Sequence, residues 1–99
     1  MPKRRSPQRE WEQALIDAYY DYCWRQILQP LHDDFVRWAA GELEHADLDR
    51  AIHETHKQSQ PLYGLFTQSR SWLVRAIQFD EDWYSRWVKD HPAPGSPAE

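Results

Sequence analysis

The chain has 99 residues, a length that allows one domain with one modest core. Hydrophobic residues make up only 40% of it, but six Trp, five Tyr and three Phe supply large side chains for a core. The net charge is −4, and no apolar run approaches the ~20 residues that cross a bilayer, so we expect no membrane span.

The charge is distributed unevenly along the sequence. Residues 1–9 carry +4, residues 10–56 carry −8 and residues 57–98 carry +1. The basic start has no hydrophobic stretch behind it, so it does not resemble a secretory signal. Cys23 is the one cysteine, and it can form no disulfide within the chain. A reducing, cytoplasmic location is therefore expected.

Both ends of the chain are predicted to be flexible tails, residues 1–7 and residues 91–99, on either side of a single helical domain at residues 8–90. The first helix is expected to begin near Gln8 and to end at Gly41. Pro30 should kink or break it, because proline lacks a backbone N–H. Two adjacent apolar rows at helical spacing support this helix: Trp11, Leu15, Ala18 and Tyr22, and Ile16, Tyr20, Cys23, Ile27 and Leu31.

A second long helix is predicted after the connection at residues 41–47, with Asp47 as its N-cap. Pro61 either kinks this helix or begins a new one. Its apolar stripe has a period near 3.5 and consists of Leu48, Ile52, Thr55, Ser59, Leu62, Phe66, Leu73 and Ile77.

A short last helix is predicted at residues 81–90. Asp80 is a good N-cap, and Phe79 and Tyr84 stand at the positions of a hydrophobic staple. Trp83 and Trp87 are four residues apart, so they should lie on one face and fold back on the preceding helices.

These elements predict an all-α fold. Because a short connection favours antiparallel neighbours, we expect an antiparallel hairpin of long, proline-kinked helices plus the short C-terminal helix. Pro30 and Pro61 would then lie at the same level. The hairpin carries more aromatic residues than it can cover by itself. Either the C-terminal helix covers the excess or a second copy does, and we expect two copies to pair into a helical-bundle dimer.

We therefore predict a non-enzymatic protein–protein interaction module, a small adaptor or regulator whose partners are a second copy and another protein. No glycine-rich phosphate loop or nucleophile motif is present, so no catalytic site and no cofactor are expected. Trp, Tyr and Arg dominate binding energy at interfaces. The predicted interface residues are Tyr19, Leu65, Trp72, Arg75, Phe79, Trp83 and Trp87.

A metal-binding helical bundle is one alternative. The segment at residues 53–56, His-Glu-Thr-His, resembles a zinc-protease signature but is one residue too short. In the hairpin, His53 and His56 would approach His32 and Asp33 near the tip, which would assemble four potential ligands.

A nucleic-acid-associated protein is a second alternative. Lys3, Arg4, Arg5 and Arg9 form a basic N-terminal segment that could contact phosphates. Four charges are few, and the acidic segment at residues 10–56 would repel the same polymer, so nucleic acid is not the expected partner.

The acidic segment at residues 10–56 could itself dock a basic partner, although a solvated helical face is the simpler interpretation.

Overall fold

A computed structural model describes residues 6–95, and within them the chain forms α-helices and no strand. The prediction of an all-α fold is therefore confirmed. The number of helices differs, because the stretch predicted as a second long helix contains two. The helices are α1 (Pro7–Ala39), α2 (His45–Leu65), α3 (Arg70–Phe79) and α4 (Glu81–Asp90).

The start of α1 is capped by Ser6, whose hydroxyl accepts a hydrogen bond from the backbone N–H of Arg9 at 3.2 Å. Pro7 follows as the first helical residue, a position where its missing N–H costs nothing. Ser6 is thus the N-cap and Pro7, the last residue of the predicted tail, is the first residue of α1. Residues 1–5 and 96–99, which make up most of the two predicted tails, lie outside the described residues.

The end of α1 depends on Gly41, which has a φ of +77°. The backbone N–H of Gly41 donates to the carbonyl of Trp38 at 3.0 Å, and that of Glu42 donates to the carbonyl of Arg37 at 2.8 Å. This pair of bonds is the Schellman arrangement, in which a left-handed residue satisfies the last carbonyls of a helix. Pro30 lies inside α1 and does not break it.

The break in the second predicted helix comes after Leu65 and not at Pro61, which lies inside α2. Ser69 explains the position of the break, because its hydroxyl accepts from the backbone N–H of Trp72 at 3.3 Å and caps α3.

The predicted N-cap of α2, Asp47, is also wrong. Glu44 occupies that position without a side-chain cap bond, and Asp47 lies in the first turn, where its negative charge complements the helix dipole.

The last helix agrees with its prediction in its bounds and its cap, since the Asp80 carboxylate accepts from the backbone N–H of Trp83. The predicted staple does not form. Phe79 is 83% exposed, so it does not pack against Tyr84.

The described chain divides into two compact units. The first, called here the core unit, comprises residues 6–19 and 68–95. Trp11, Leu15, Val74 and Ile77 form its buried core. The partly buried residues around them are Ile16, Tyr19, Trp83, Tyr84, Trp87, Val88 and Ala93. Ala93, from the segment predicted as a tail, is thus one of the residues packed on this core.

The second unit, called here the central unit, comprises residues 20–67. Among its residues, only Leu48 and Ser59 are buried. Two edge-to-face ring pairs link its helices, Tyr20 with Phe66 at 4.9 Å and Trp24 with Tyr63 at 5.9 Å between ring centroids. The hydrophobic burial is thus concentrated in the core unit.

Two glycine substitutions should shift stability in opposite directions. Gly41→Ala should lower the free energy of unfolding by about 1 kcal/mol, because a Cβ disfavours the left-handed conformation. Gly64→Ala should raise it by about 0.5–1 kcal/mol, since Gly64 lies inside α2 and an added Cβ meets no atom within 4 Å. Urea unfolding followed by circular dichroism measures both, and a loss of stability in Gly64→Ala would contradict the helical environment described for it.

Candidate interaction surface

Helix α3 is apolar on two opposite sides. Leu73, Val74 and Ile77 are buried, and Val74 and Ile77 belong to the core of the core unit. On the other side, Trp72 is 48% exposed and Phe79 is 83% exposed. Since residues seven apart lie on the same helical face, the two rings form one exposed aromatic row two turns long.

Arg75 and Ala76 lie between the two rings on this exposed side of α3. A shallow depression on the surface is lined by Ser69, Ser71, Trp72, Arg75, Ala76 and Phe79. Two aromatic rings, a guanidinium and two hydroxyl groups thus lie side by side. We call this surface the α3 face; it combines the residue types that contribute most to protein–protein binding energy.

Three of the predicted interface residues, Tyr19, Trp83 and Trp87, contact other residues of the core unit. Tyr19 packs edge-to-face on Trp83 at 4.9 Å, and its hydroxyl donates to the Asp80 carboxylate at 2.9 Å. Trp83 stacks on Trp87 at 6.0 Å. Trp87 also lies 5.7 Å from the Trp11 ring of α1. Tyr19, Trp83 and Trp87 thus take part in the packing of the core unit, and their role in an interface stays a prediction.

The predicted row of Leu65, Trp72 and Phe79 does not run along one helix. Leu65 is half-buried in α2, whereas the other two residues belong to α3, beyond the break capped by Ser69. A seven-residue spacing places residues on one face only where the helix is continuous. Of the predicted interface residues, Trp72, Arg75 and Phe79 are the ones that lie together and exposed.

The central unit exposes large apolar side chains that the sequence analysis did not select as site residues. They share a location on α1 or α2 and an exposed fraction between 38% and 61%: Tyr20, Leu28, Phe35, Val36, Trp38, Ile52 and Tyr63. The sequence feature that could have indicated these exposed residues is the wide apolar face of the first helix. This face is wider than one neighbouring helix covers.

The histidines of the metal alternative are not brought together. Within residues 6–95, no group of three or more His, Cys, Asp or Glu side chains could hold a metal ion. His32 is 3.3 Å from Asp33, and His53 is 3.4 Å from Asp49, each pair on the surface of one helix. The Nε2 of His56 lies 3.4 Å from the side-chain amide of Gln60. The residues His32, Asp33, His53 and His56 therefore make separate local contacts.

The nucleic-acid alternative depends on a segment of which the structure describes only Arg9. Lys3, Arg4 and Arg5 lie outside the described residues. The backbone carbonyl of Arg9 accepts a hydrogen bond from Arg70 at 3.1 Å, and Arg70 also donates to the side chain of Gln13 at 3.0 Å. This contact fastens the first turns of α1 to the start of α3.

Comparison with known proteins does not assign the chain to a family. No family model matches the sequence, and neither the curated proteins nor the solved structures give a significant match. None of the helices in the described part of the chain has the length and hydrophobicity needed to span a bilayer. A functional conclusion therefore rests on the surfaces of the molecule.

Replacing Tyr19 tests its assignment to the interior. Tyr19→Phe removes the hydrogen bond to Asp80 and should lower the free energy of unfolding by about 1 kcal/mol. Urea unfolding at a fixed protein concentration measures the change. Tyr63→Phe is the matched control, since this ring is 61% exposed and its hydroxyl should contribute less than about 0.5 kcal/mol. A change in oligomeric mass without a change in stability would return Tyr19 to the interface.

Proposed function

We propose that this protein is a non-enzymatic helical interaction module, a small adaptor or regulator that pairs with a second copy of itself through the α3 face. The observation that carries the proposal is the exposure of Phe79, 83%, on a helix whose opposite side forms the protein core. A phenylalanine this exposed, two turns from a tryptophan on the same face of the helix, is suited to anchor a protein interface.

The residues of the α3 face are suited to self-pairing. In a two-fold symmetric interface each contact occurs twice, with the two patches running in opposite directions. Antiparallel α3 helices would place Trp72 of one copy against Phe79 of the other. Arg75 would then lie opposite Ala76, a small side chain that leaves room for the guanidinium. The aromatic row of each copy would thereby cover the row of the other.

We further propose that α1 and α2 form an antiparallel hairpin within each copy and that the paired copies make a helical bundle. Two ring contacts support the hairpin. Moving one turn forward on α1, from Tyr20 to Trp24, moves the contact about one turn back along the chain, from Phe66 to Tyr63. Contacts that shift in opposite directions are those of antiparallel helices. The same register places Pro61 near residue 26, about one turn from Pro30. The two prolines would then not lie at the same level. The connection between α1 and α2 is short, as expected for antiparallel neighbours.

A cytoplasmic location and a second protein partner remain part of this proposal. The single cysteine is compatible with a reducing compartment, because it can form no disulfide within the chain. The acidic side chains of the central unit, such as Asp33 and Glu54, are available on its surface for a basic partner.

The homodimer can be tested by sedimentation equilibrium at tens of micromolar protein. The chain has a mass of 11.9 kDa, so the wild-type protein should sediment at twice that value. Phe79→Ser should weaken the dimer at least about thirty-fold, the equivalent of about 2 kcal/mol, because it removes an interface anchor from both copies. Unfolding stability of the monomer should not change, since this ring lies outside the core.

Tyr63→Ser is the matched control. It removes an exposed aromatic ring from the central unit and should leave the dimer unchanged. If Tyr63→Ser weakened the dimer and Phe79→Ser did not, the interface would lie on the central unit and not on the α3 face. A wild-type protein that remains a monomer at these concentrations would overturn the homodimer.

A further inference from the structure

Four aromatic rings of the central unit surround a small pocket between α1 and α2. We call it the aromatic pocket. Its lining residues are Tyr20, Trp24, Leu62, Tyr63, Phe66 and Thr67. Its volume is about 170 Å³, the liquid volume of roughly five or six water molecules. This is enough for a quaternary ammonium group.

The rings stand at steep angles to one another, like adjoining walls. The Phe66 ring is inclined at 80° to that of Tyr20, and the Trp24 ring at 60° to that of Tyr20. The Tyr63 ring is inclined at 77° to that of Trp24. Centroids of adjoining rings are 4.9 to 6.2 Å apart. Rings that adjoin at such angles can direct several π faces at one enclosed group, as in the cages that hold methylated ammonium cations.

The pocket has a covered floor and an open rim. Trp24 and Phe66 are half-buried, whereas Tyr20 is 46% and Tyr63 is 61% exposed. A ligand can therefore enter from solvent between the two tyrosines and reach the indole of Trp24. Partial removal from water strengthens the attraction between a cation and an aromatic ring.

The charge of the surroundings favours a cation. The central unit holds eight acidic and four basic residues, a net charge of −4. No charged side chain lines the pocket itself. The nearest basic residue in sequence, Arg25, is paired with Asp21 at 2.8 Å, so its guanidinium is drawn to that carboxylate. An anionic ligand would therefore find little to bind it here.

We propose that the aromatic pocket binds a quaternary ammonium cation. Choline and trimethyl-lysine in a peptide both carry this group. The proposal concerns a site in the central unit and does not depend on dimerisation through the α3 face.

The test is a titration of the full chain with choline chloride, followed by the ¹H resonance of the N-methyl groups. Ring currents should shift this resonance upfield as the cation enters the pocket, and the shift should saturate. The neutral isostere 3,3-dimethylbutan-1-ol has the same shape without the charge and should bind at least about fivefold more weakly. Tetramethylammonium carries the same charged group without the hydroxyethyl arm and should also bind. Sodium chloride at equal ionic strength is the blank.

Two variants locate the binding site. Tyr63→Leu removes one rim ring and should weaken choline binding about fivefold. Trp72→Leu removes an exposed ring from the α3 face and should not affect binding. A trimethyl-lysine peptide is titrated in parallel, and the tighter of the two ligands identifies the source of the cation.

Three outcomes would overturn the proposal. Equal affinity for the neutral isostere would make the pocket a plain apolar site. An affinity that Trp72→Leu lowers and Tyr63→Leu does not would place the cation elsewhere on the molecule. The absence of a saturable shift at millimolar choline, in protein whose circular dichroism shows that it is folded, would exclude the site.

Discussion

The burial of Trp11 against α4 is the interaction on which the core unit depends. Its ring lies 5.7 Å from Trp87 and 6.5 Å from Tyr84, and its indole N–H donates to the carbonyl of His91 at 2.7 Å. One side chain thus joins residues eighty positions apart in sequence. Because a buried indole N–H without an acceptor is costly, the carbonyl of His91 after α4 stabilises the buried position of Trp11. Leu15, one turn later and completely buried, extends this contact toward α3.

This core determines which aromatic residues remain for a partner. The rings of α4 are engaged by α1, through Trp11 and through the contact of Tyr19 with Trp83. Helix α3 turns Val74 and Ile77 toward the same core, and its opposite side keeps Trp72 and Phe79 in solvent. The core thus contacts one side of α3 and leaves the α3 face exposed. The two exposed rings of this face are the main support for the proposed pairing.

The central unit uses the same residue types in a different way. Its rings meet edge-to-face around a pocket, and the indole N–H of Trp24 has no acceptor there, in contrast to that of Trp11. Few of its side chains are buried, so hydrophobic burial contributes less to its stability than to that of the core unit. The exposed rings of this unit, Tyr20 and Tyr63, are the basis of the cation site proposed above.

Local signals in the sequence by themselves determined the helical class and the elements that depend on neighbouring residues: the cap at Asp80, the bounds of α4 and the glycine that ends α1. The break at Ser69 was also readable in principle, since a serine three residues before Trp72 can cap a helix, but the continuous stripe through Leu73 concealed it. Periodicity shows that a residue lies on an apolar face and does not show which neighbour covers that face. The four-residue spacing of Trp83 and Trp87 predicted that both rings fold back on the preceding helices. Only the tertiary structure decided which side chains they meet there and that Phe79 stays exposed, because that outcome depends on which helices meet.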